Sequence, residues 1–471
     1  MSSPDKSRRQ RPTWTPRLME GASSKHAAIF EALASDISEG VLAPGQRLPP
    51  QREVASVLGV DLTTVTKAYN RAREIGVIQA AAGRGTFVTG GEAPTLSSPQ
   101  GVAALDLSKN SPPLNETLNI RAMIAKDLGG EALQANLLDL NYQETGGSQI
   151  NRSAGARWLS GRIPALEWQR VVLCSGAQSA IFAICLHLTR QSKKVAVGRY
   201  AYPGIHTVAN HIDLQLVPVD MDDEGLVPEA FEQAAKAGGL AALYVTPTID
   251  NPTTATMSRS RRQRIALIAL EHRVPIIEDE PYVPLLPKPQ VSLASLAPAM
   301  TWHVATLSKC VTAALRLGYV ACPSPEDAEE LAAMLQAMTM MPSPLFAALA
   351  THWINNGLVQ KTAASIRQAN HARQKIAANI FAGYDLRADF NASHIWLKLP
   401  EPWRGNDFAY QAQRAGIAIL PSGSFANNQQ EEEAVRISLG AAPDQEALRR
   451  ALVELRQILE QNRPFNLRAL V

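Results

Sequence analysis

The sequence predicts a chain in two parts. A small, mainly α head is built as a helix-turn-helix closed by a β-hairpin, and an α/β domain with a smaller C-terminal α+β subdomain follows it. Three observations predict this. Residues 24–89 show helical apolar spacing that ends in a glycine-tipped hairpin, and residues 90–104 form a Gly-, Pro- and Ser-rich linker. From Leu105 onward, short apolar runs alternate with amphipathic helical stretches. A length of 471 residues also suits two or three cores better than one.

Composition narrows the class. With 46% hydrophobic and 19% charged residues the composition is globular, neither disordered nor membrane-like. The richest apolar stretch, Val171 to Leu188, is interrupted by Ser175, Gly176, Gln178 and His187, so no bilayer span is expected. The N-terminus, MSSPDKSRRQRPTWTP, lacks the apolar core of a signal peptide. Cys174, Cys185, Cys310 and Cys322 form no CxxC pair. They read as buried thiols of a cytoplasmic protein, without a disulfide frame or a metal site. The formal charge is +3, and residues 1–92 carry all of it, with Arg8, Arg9, Arg11 and Arg17 close together. Either a DNA-binding head or a solvated basic tail over residues 1–23 accounts for that asymmetry.

In the head, Ala27, Ala28, Ile29, Phe30, Leu33 and Ile37 mark a first helix over 24–39, ended by Gly40. Pro49 and Pro50 open a second helix with Val54, Ala55 and Leu58 inside, and Gly59 permits the turn. Asp61 can cap the third, whose inner face is Val65, Ala68, Tyr69, Ala72 and Ile75. Its outer face carries Thr63, Thr64, Thr66, Lys67 and Arg71, the short hydroxyls and long cations that reach base edges and phosphates from a major groove. VIQAAAGRGTFV then reads as a hairpin with Arg84 between Gly83 and Gly85, suited to a minor groove. A polar-faced surface helix pair would show the same outer face.

In the body, strands are expected over Arg170–Cys174, Lys194–Val197, Ala241–Thr246, Val274–Ile277 and Thr301–Thr306, as in a largely parallel buried sheet. Helices dominate from Asp327 to about Ala382, and the small subdomain occupies about 383–471, with HIWLKLP and Val435–Ser438 as strands.

Several separated motifs suit one cofactor. Lys309, in LSKC after the strand TWHVAT, is placed to form a Schiff base with an aldehyde, or it is a solvated loop lysine. VPIIEDEPY delivers Asp279 to a strand's carboxyl end, where it can hold a proton on a pyridine nitrogen or simply cap a helix. Tyr282 and Asn251 are placed to hydrogen-bond the ring's phenolic oxygen, though Asn251-Pro252 alone is also a turn signal. In VVLCSGAQSAIFAICLHL, Gly176, Ala177 and Gln178 present amides at a helix N-terminus, a phosphate site without the lysine of a nucleotide loop. Thr306, Ser308 and Arg316 can complete that phosphate cage. Tyr202 either stacks on the ring or packs in the core, and Arg436 either clamps a ligand carboxylate or lies on the surface.

Two resemblances tie these pieces together. GVLAPGQRLPPQREVASVLGV, LTTVTKAY and GRGTFV closely resemble the winged helix-turn-helix of the GntR family of bacterial regulators. That resemblance implies DNA contacts at Arg52, Thr63, Thr64, Gly83 and Arg84, although Leu62 and Thr66 stand where basic residues are common in the family. From about Leu105 the chain resembles the PLP-dependent aminotransferases of fold type I. This implies pyridoxal 5'-phosphate (PLP) on Lys309, with Asp279, Asn251, Tyr282, Thr306, Ser308 and Arg316 around it and Arg436 for a carboxylate. Tyr142, in NYQETGG, is then the residue that reaches a neighbouring subunit's phosphate, which implies a homodimer, head to tail in the MocR subfamily that the whole chain resembles. Thr254 stands where Gly is usual, and Thr306 where Ser is commoner.

Head and body together resemble the MocR subfamily. This implies a regulator that binds operator DNA and senses PLP or a small amino compound, for genes of amino-acid, amine or vitamin B6 metabolism. A catalytically active aminotransferase with a DNA-binding head is the rival expectation.

Overall fold

The structure is a computed structural model. It describes residues 14–16, 25–38, 41–43, 45–74, 78–81, 85–88, 105–113, 119–130, 141–288, 290–427 and 432–461. Internal contacts divide the chain into two units, Met1–Val102 and Ala103–Val471.

The head contains α1 (Lys25–Ser38), β1 (Arg47–Leu48), α2 (Gln51–Leu58), α3 (Leu62–Glu74), β2 (Ile78–Ala81) and β3 (Gly85–Val88). Ile29, Leu33, Val54, Val65, Ala68, Tyr69 and Ala72 close one apolar core, on the faces that the periodicity assigned to them. Gly59 ends α2 in the left-handed region, with φ 62°, and returns its N–H to Ala55. Asp61 accepts from the amide and the hydroxyl of Thr63 at the start of α3. Two features were not foreseen. The two-residue strand β1 joins the hairpin to give the order β1-β3-β2, and the Trp14 indole packs into this core and donates to Asp36 at 2.7 Å.

In the body, β4 (Leu105–Asp106) leads the chain, followed by β5 (Val171–Cys174), β6 (Lys194–Gly198), β7 (Gln215–Val219), β8 (Met221–Asp222) and β9 (Gly225–Leu226). Then come β10 (Leu240–Val245), β11 (Ile276–Asp279), β12 (Thr301–Thr306) and β13 (Gly318–Ala321). Seven of them form one sheet in the order β5-β13-β12-β11-β10-β6-β7. β10, β11, β12, β6 and β7 pair in parallel, and β13 runs antiparallel between β5 and β12, so the sheet is mixed. Alternate residues of β5 enter different cores, Val171 and Leu173 on one face, Val172 and Cys174 on the other. Helices cover both faces, which explains the uninterrupted apolar runs.

The small lobe holds β14 (Leu386–Ala388), β15 (His394–Lys398), β16 (Ile417–Ala418), β17 (Leu420–Pro421) and β18 (Ala434–Ser438), with β14-β15-β18-β17 as its sheet. Residues 105–113, far away in sequence, belong beside it. β4 pairs in parallel with β16, Leu107 is buried in the lobe's core, and the Leu107 carbonyl accepts from the Ser438 amide at 2.9 Å. This strap crosses so close to Gly440 that a Cβ there would meet the Ser111 carbonyl at 1.9 Å. None of the helices among the described residues is long and apolar enough to cross a membrane.

Candidate functional site

The direction of the chain in β5, β10, β11 and β12 brings their carboxyl ends to one edge of the sheet, where an open α/β sheet leaves a crevice. A cleft of about 690 Å³ lies there. Ala177, Gln178, Tyr202, Asn251, Asp279, Tyr282, Thr306, Ser308, Lys309, Arg316 and Arg436 all line it, drawn from segments spread over more than 250 residues.

β11 ends on Asp279, whose burial raises its carboxyl to about 6, opposed by the Tyr244 hydroxyl that donates to Oδ2 at 2.7 Å. Oδ1, equally buried, has no partner among the described residues. A buried acceptor of that kind calls for a donor. β12 delivers Lys309, which donates to the carbonyl of Asn110. Burial, reinforced by the Arg436 charge, pushes its amine down to about 8 against the pull of Asp279. A sizeable neutral fraction near neutral pH makes it a nucleophile.

On β18 the buried Arg436 donates to Asn251 Oδ1 at 3.0 Å and to the Ser108 carbonyl, and its guanidinium lies over the Phe425 ring. Its Nε has no partner among the described residues. Because Arg436 takes the oxygen of Asn251, the Asn251 amide N–H pair is left to donate into the cleft. Tyr282 accepts from Asn110 Nδ2 at 2.7 Å, so its own hydroxyl proton is likewise free to donate.

At the other end, Gly176 (φ 94°) caps the helix Ala177–Leu188 without a side-chain cap, leaving first-turn amides for an anion. Arg316 comes within 3.6 Å of where a Gly176 Cβ would stand, and the Thr306 and Ser308 hydroxyls lie 2.9 Å apart in the same cleft. Tyr202 is half-buried in the lining. The Gln178 side chain donates to the Gly204 carbonyl at 2.9 Å, and a Cβ on Gly204 would fall 2.1 Å from the Tyr202 ring.

A pyridoxal phosphate fits this set: an orphaned buried carboxylate oxygen for the ring nitrogen, two donors for the phenolic oxygen, an amine for the aldehyde, and a cationic cradle for the phosphate. Among the described residues no cluster suits a metal, and the four cysteines are free and buried, with Cys174, Cys185 and Cys310 pushed up to about 12 by burial. Tyr142 lies outside the cleft and is 84% exposed. Thr254 adopts φ 63°, which explains why glycine is usual there.

On the head, Arg52, Thr63 and Lys67 are exposed and Thr64 is half-buried. The half-buried Thr66 keeps its hydroxyl 2.9 Å from both Gln51 Oε1 and the Leu62 carbonyl. Gly83 and Arg84 lie outside the described residues. The sequence reading missed Ser108, Asn110, Tyr244 and His394. Only Tyr244 left a signal, a hydroxyl-bearing aromatic inside an otherwise apolar strand.

Residues 103–455 match the family described as aminotransferase class I and II, and residues 25–88 match the bacterial regulatory proteins of the gntR family. The HTH-type transcriptional regulator YdeF of Bacillus subtilis is 29% identical over 464 residues, 95% of this chain and 97% of that protein. The vitamin B6 salvage pathway transcriptional repressor PtsJ of Salmonella typhimurium is 26% identical over 79% of this chain and 84% of its own length. The solved kynurenine aminotransferase of Pyrococcus horikoshii shares the fold, with a TM-score of 0.69 at 20% identity over 77% of this chain and 92% of that one.

Proposed function

The chain belongs to the aminotransferase class I and II family and carries a GntR-type head, and from that premise we propose that it is a PLP-dependent, DNA-binding transcription regulator of the MocR kind. The observation that carries the reading is the meeting of Lys309, Asp279 and Arg436 in one cleft of a chain that begins with a helix-turn-helix. When bound, PLP supplies an aldehyde that can hold or exchange an amine on an electron-withdrawing ring.

The chain's own residues do the rest. Asp279 holds a proton on the ring nitrogen, and Tyr202 packs on the ring face. Asn251 and Tyr282 donate to the phenolic oxygen. The Ala177 and Gln178 amides beyond the Gly176 turn, with Thr306, Ser308 and Arg316, bind the phosphate. Lys309 presents its amine, and Arg436 offers a planar fork to a ligand carboxylate. The effector is PLP itself or a small amino compound. That PtsJ is named for vitamin B6 salvage supports genes of amino-acid, amine or vitamin B6 metabolism as targets. Arg52, Thr63, Thr64 and Lys67 meet operator DNA, with Thr66 orienting α3 and with Gly83 and Arg84 in the wing. The chain works in the cytoplasm as a head-to-tail homodimer, in which the exposed Tyr142 of each protomer is available to its partner. Two heads then read two half-sites.

Paired DNA-binding titrations, with and without PLP, on wild type and on Lys309→Ala test this. PLP is expected to change operator affinity or footprint in wild type and to do neither in the variant. Identical behaviour in all four arms overturns the reading. The presence of Lys309, Asp279 and Arg436 together also favours a second reading, an active aminotransferase. Rapid spectral change of the PLP-loaded protein with an amino acid, reversed by a keto acid, is its signature.

A further inference from the structure

The Tyr282 hydroxyl lies at one end of a hydrogen-bond chain whose other end is a backbone carbonyl. His394 opens β15 and is fully buried. Its Nε2 lies 3.2 Å from the carbonyl oxygen of Asp250, its Nδ1 lies 3.0 Å from Asn110 Nδ2, and that same Nδ2 lies 2.7 Å from the Tyr282 oxygen. A carbonyl can only accept, so Nε2 must carry the imidazole proton. Burial, with the Arg436 charge second, pushes His394 down to about 3, which keeps the ring neutral and Nδ1 bare. A bare Nδ1 can only accept. This forces the Asn110 amide to aim one hydrogen at His394 and the other at Tyr282. The reverse amide orientation would set an oxygen against the bare Nδ1, acceptor against acceptor. Asn110 Oδ1 has no partner among the described residues. Since Tyr282 receives a hydrogen from Asn110, its own O–H proton is left pointing to the cleft.

We propose that Asn110 and His394 are positioning residues that polarise Tyr282 into a hydrogen-bond donor toward an anionic oxygen of the ligand. The inference rests on the PLP reading for the identity of that oxygen, the phenolic one, but the polarity of the chain rests on the hydrogen-bond geometry together with the neutrality of the buried ring. It also gives the strap a role at the site. Asn110 holds the Lys309 amine through its carbonyl while its side chain holds Tyr282, so one residue sets both groups. No sequence motif marks either residue.

Two measurements test it. The first needs no cofactor: the nitrogen chemical shifts of His394 in the full-length protein are expected to report the neutral Nε2–H tautomer throughout the neutral range, and an Nδ1–H tautomer or a charged ring overturns the proposal. The second uses PLP-loaded protein and follows visible absorbance against pH. A donor to the phenolic oxygen favours its anionic form, so losing the donor raises the midpoint. Asn110→Asp, nearly isosteric but able only to accept when ionised, is expected to raise it by about one pH unit. His394→Leu is expected to do the same, and His394→Asn, which keeps an acceptor near Nδ1, to restore most of the wild-type value. The other titratable groups around Tyr282 and Lys309 are Asp279, Asp250, Tyr202, Arg316 and Arg436, and all stay in place in these variants. Unchanged midpoints in folded Asn110→Asp and His394→Leu overturn the proposal. A wild-type protein that takes up no PLP defeats the cofactor reading instead, while the tautomer measurement still decides the relay.

Discussion

Tyr244 donates a 2.7 Å hydrogen bond to Oδ2 of Asp279 and leaves Oδ1, at the end of β11, without a partner among the described residues. The tyrosine therefore aims the carboxylate without neutralising it. One oxygen is held by the tyrosine, and the other is buried with its desolvation uncompensated. An ion in that condition stores binding free energy for a cationic partner.

Stability should record this. Burial raises Asp279 to about 6, above the ~3.9 of an unfolded aspartate. Between those values the folded chain keeps a proton that the unfolded chain releases, so this group's contribution to stability falls as pH rises through the window. Buried Asp250 and Glu280 push the same way, and His394, held low, pushes the opposite way. Comparing wild type with Asp279→Asn isolates the one group. Without PLP, the variant is expected to gain on wild type as pH rises from ~4 to ~7, by on the order of 2 kcal/mol. With PLP the order reverses, because the carboxylate then has its partner. Denaturant unfolding across that pH range checks both signs.

Lys309 is expected to capture the PLP aldehyde with a pH midpoint near 8, the value to which its amine is pushed by burial and then by Arg436. Removing that charge with Arg436→Gln should move the midpoint upward, since the ammonium loses a like-charged neighbour. Initial rates of visible absorbance change on mixing with PLP, measured from pH 6.5 to 9.5, give the midpoint directly. A downward shift would mean that the Asn251 and Ser108 contacts of Arg436, not its charge, govern the lysine.

The Asn251 loop carries strain that one substitution can relieve. Thr254 has φ 63° and Ile249 has φ 50°, both β-branched residues in the left-handed region. Thr254 donates its amide to the Asp250 carbonyl at 2.8 Å, a bond that glycine preserves. Thr254→Gly is expected to stabilise the body by about 1 kcal/mol, the relief of strain outweighing the added freedom of the unfolded chain. Thermal unfolding reads this as an upward shift of a few degrees.

The sheet of the body was legible because buried strands leave apolar runs of the right length, and those runs placed Asp279, Asn251 and Lys309 at strand ends. β13 was not legible as a strand: GYVA is four residues long and follows the site motif without a break. The strap was missed for a different reason. Leu105–Asp106 pairs with Ile417–Ala418, more than 300 residues away, and no local pattern encodes a partner at that separation. Asn110 and His394 are invisible for the same cause, since their chemistry exists only where the strap, β15 and the loops after β10 and β11 converge. In the head, β1 is two residues long and is specified by its pairing with β3 rather than by its own propensity.

The outer face of α3 divides into two kinds of residue, and substitutions should separate them. Lys67 and Arg52 are exposed cations on α3 and α2. Thr66, by contrast, keeps its hydroxyl between Gln51 Oε1 and the Leu62 carbonyl, where it ties α3 to α2. Lys67→Ala and Arg52→Ala are each expected to weaken operator binding and to reduce the slope of log affinity against log salt by about one, leaving thermal stability unchanged. Thr66→Val removes the half-buried hydrogen bond that joins α3 to Gln51 of α2, so it is expected to destabilise the head by about 1 kcal/mol while leaving the salt slope intact. Binding isotherms at several salt concentrations, set beside melting curves of the same variants, distinguish the two classes. A salt slope that falls in Thr66→Val would place its hydroxyl on a phosphate instead of between the helices.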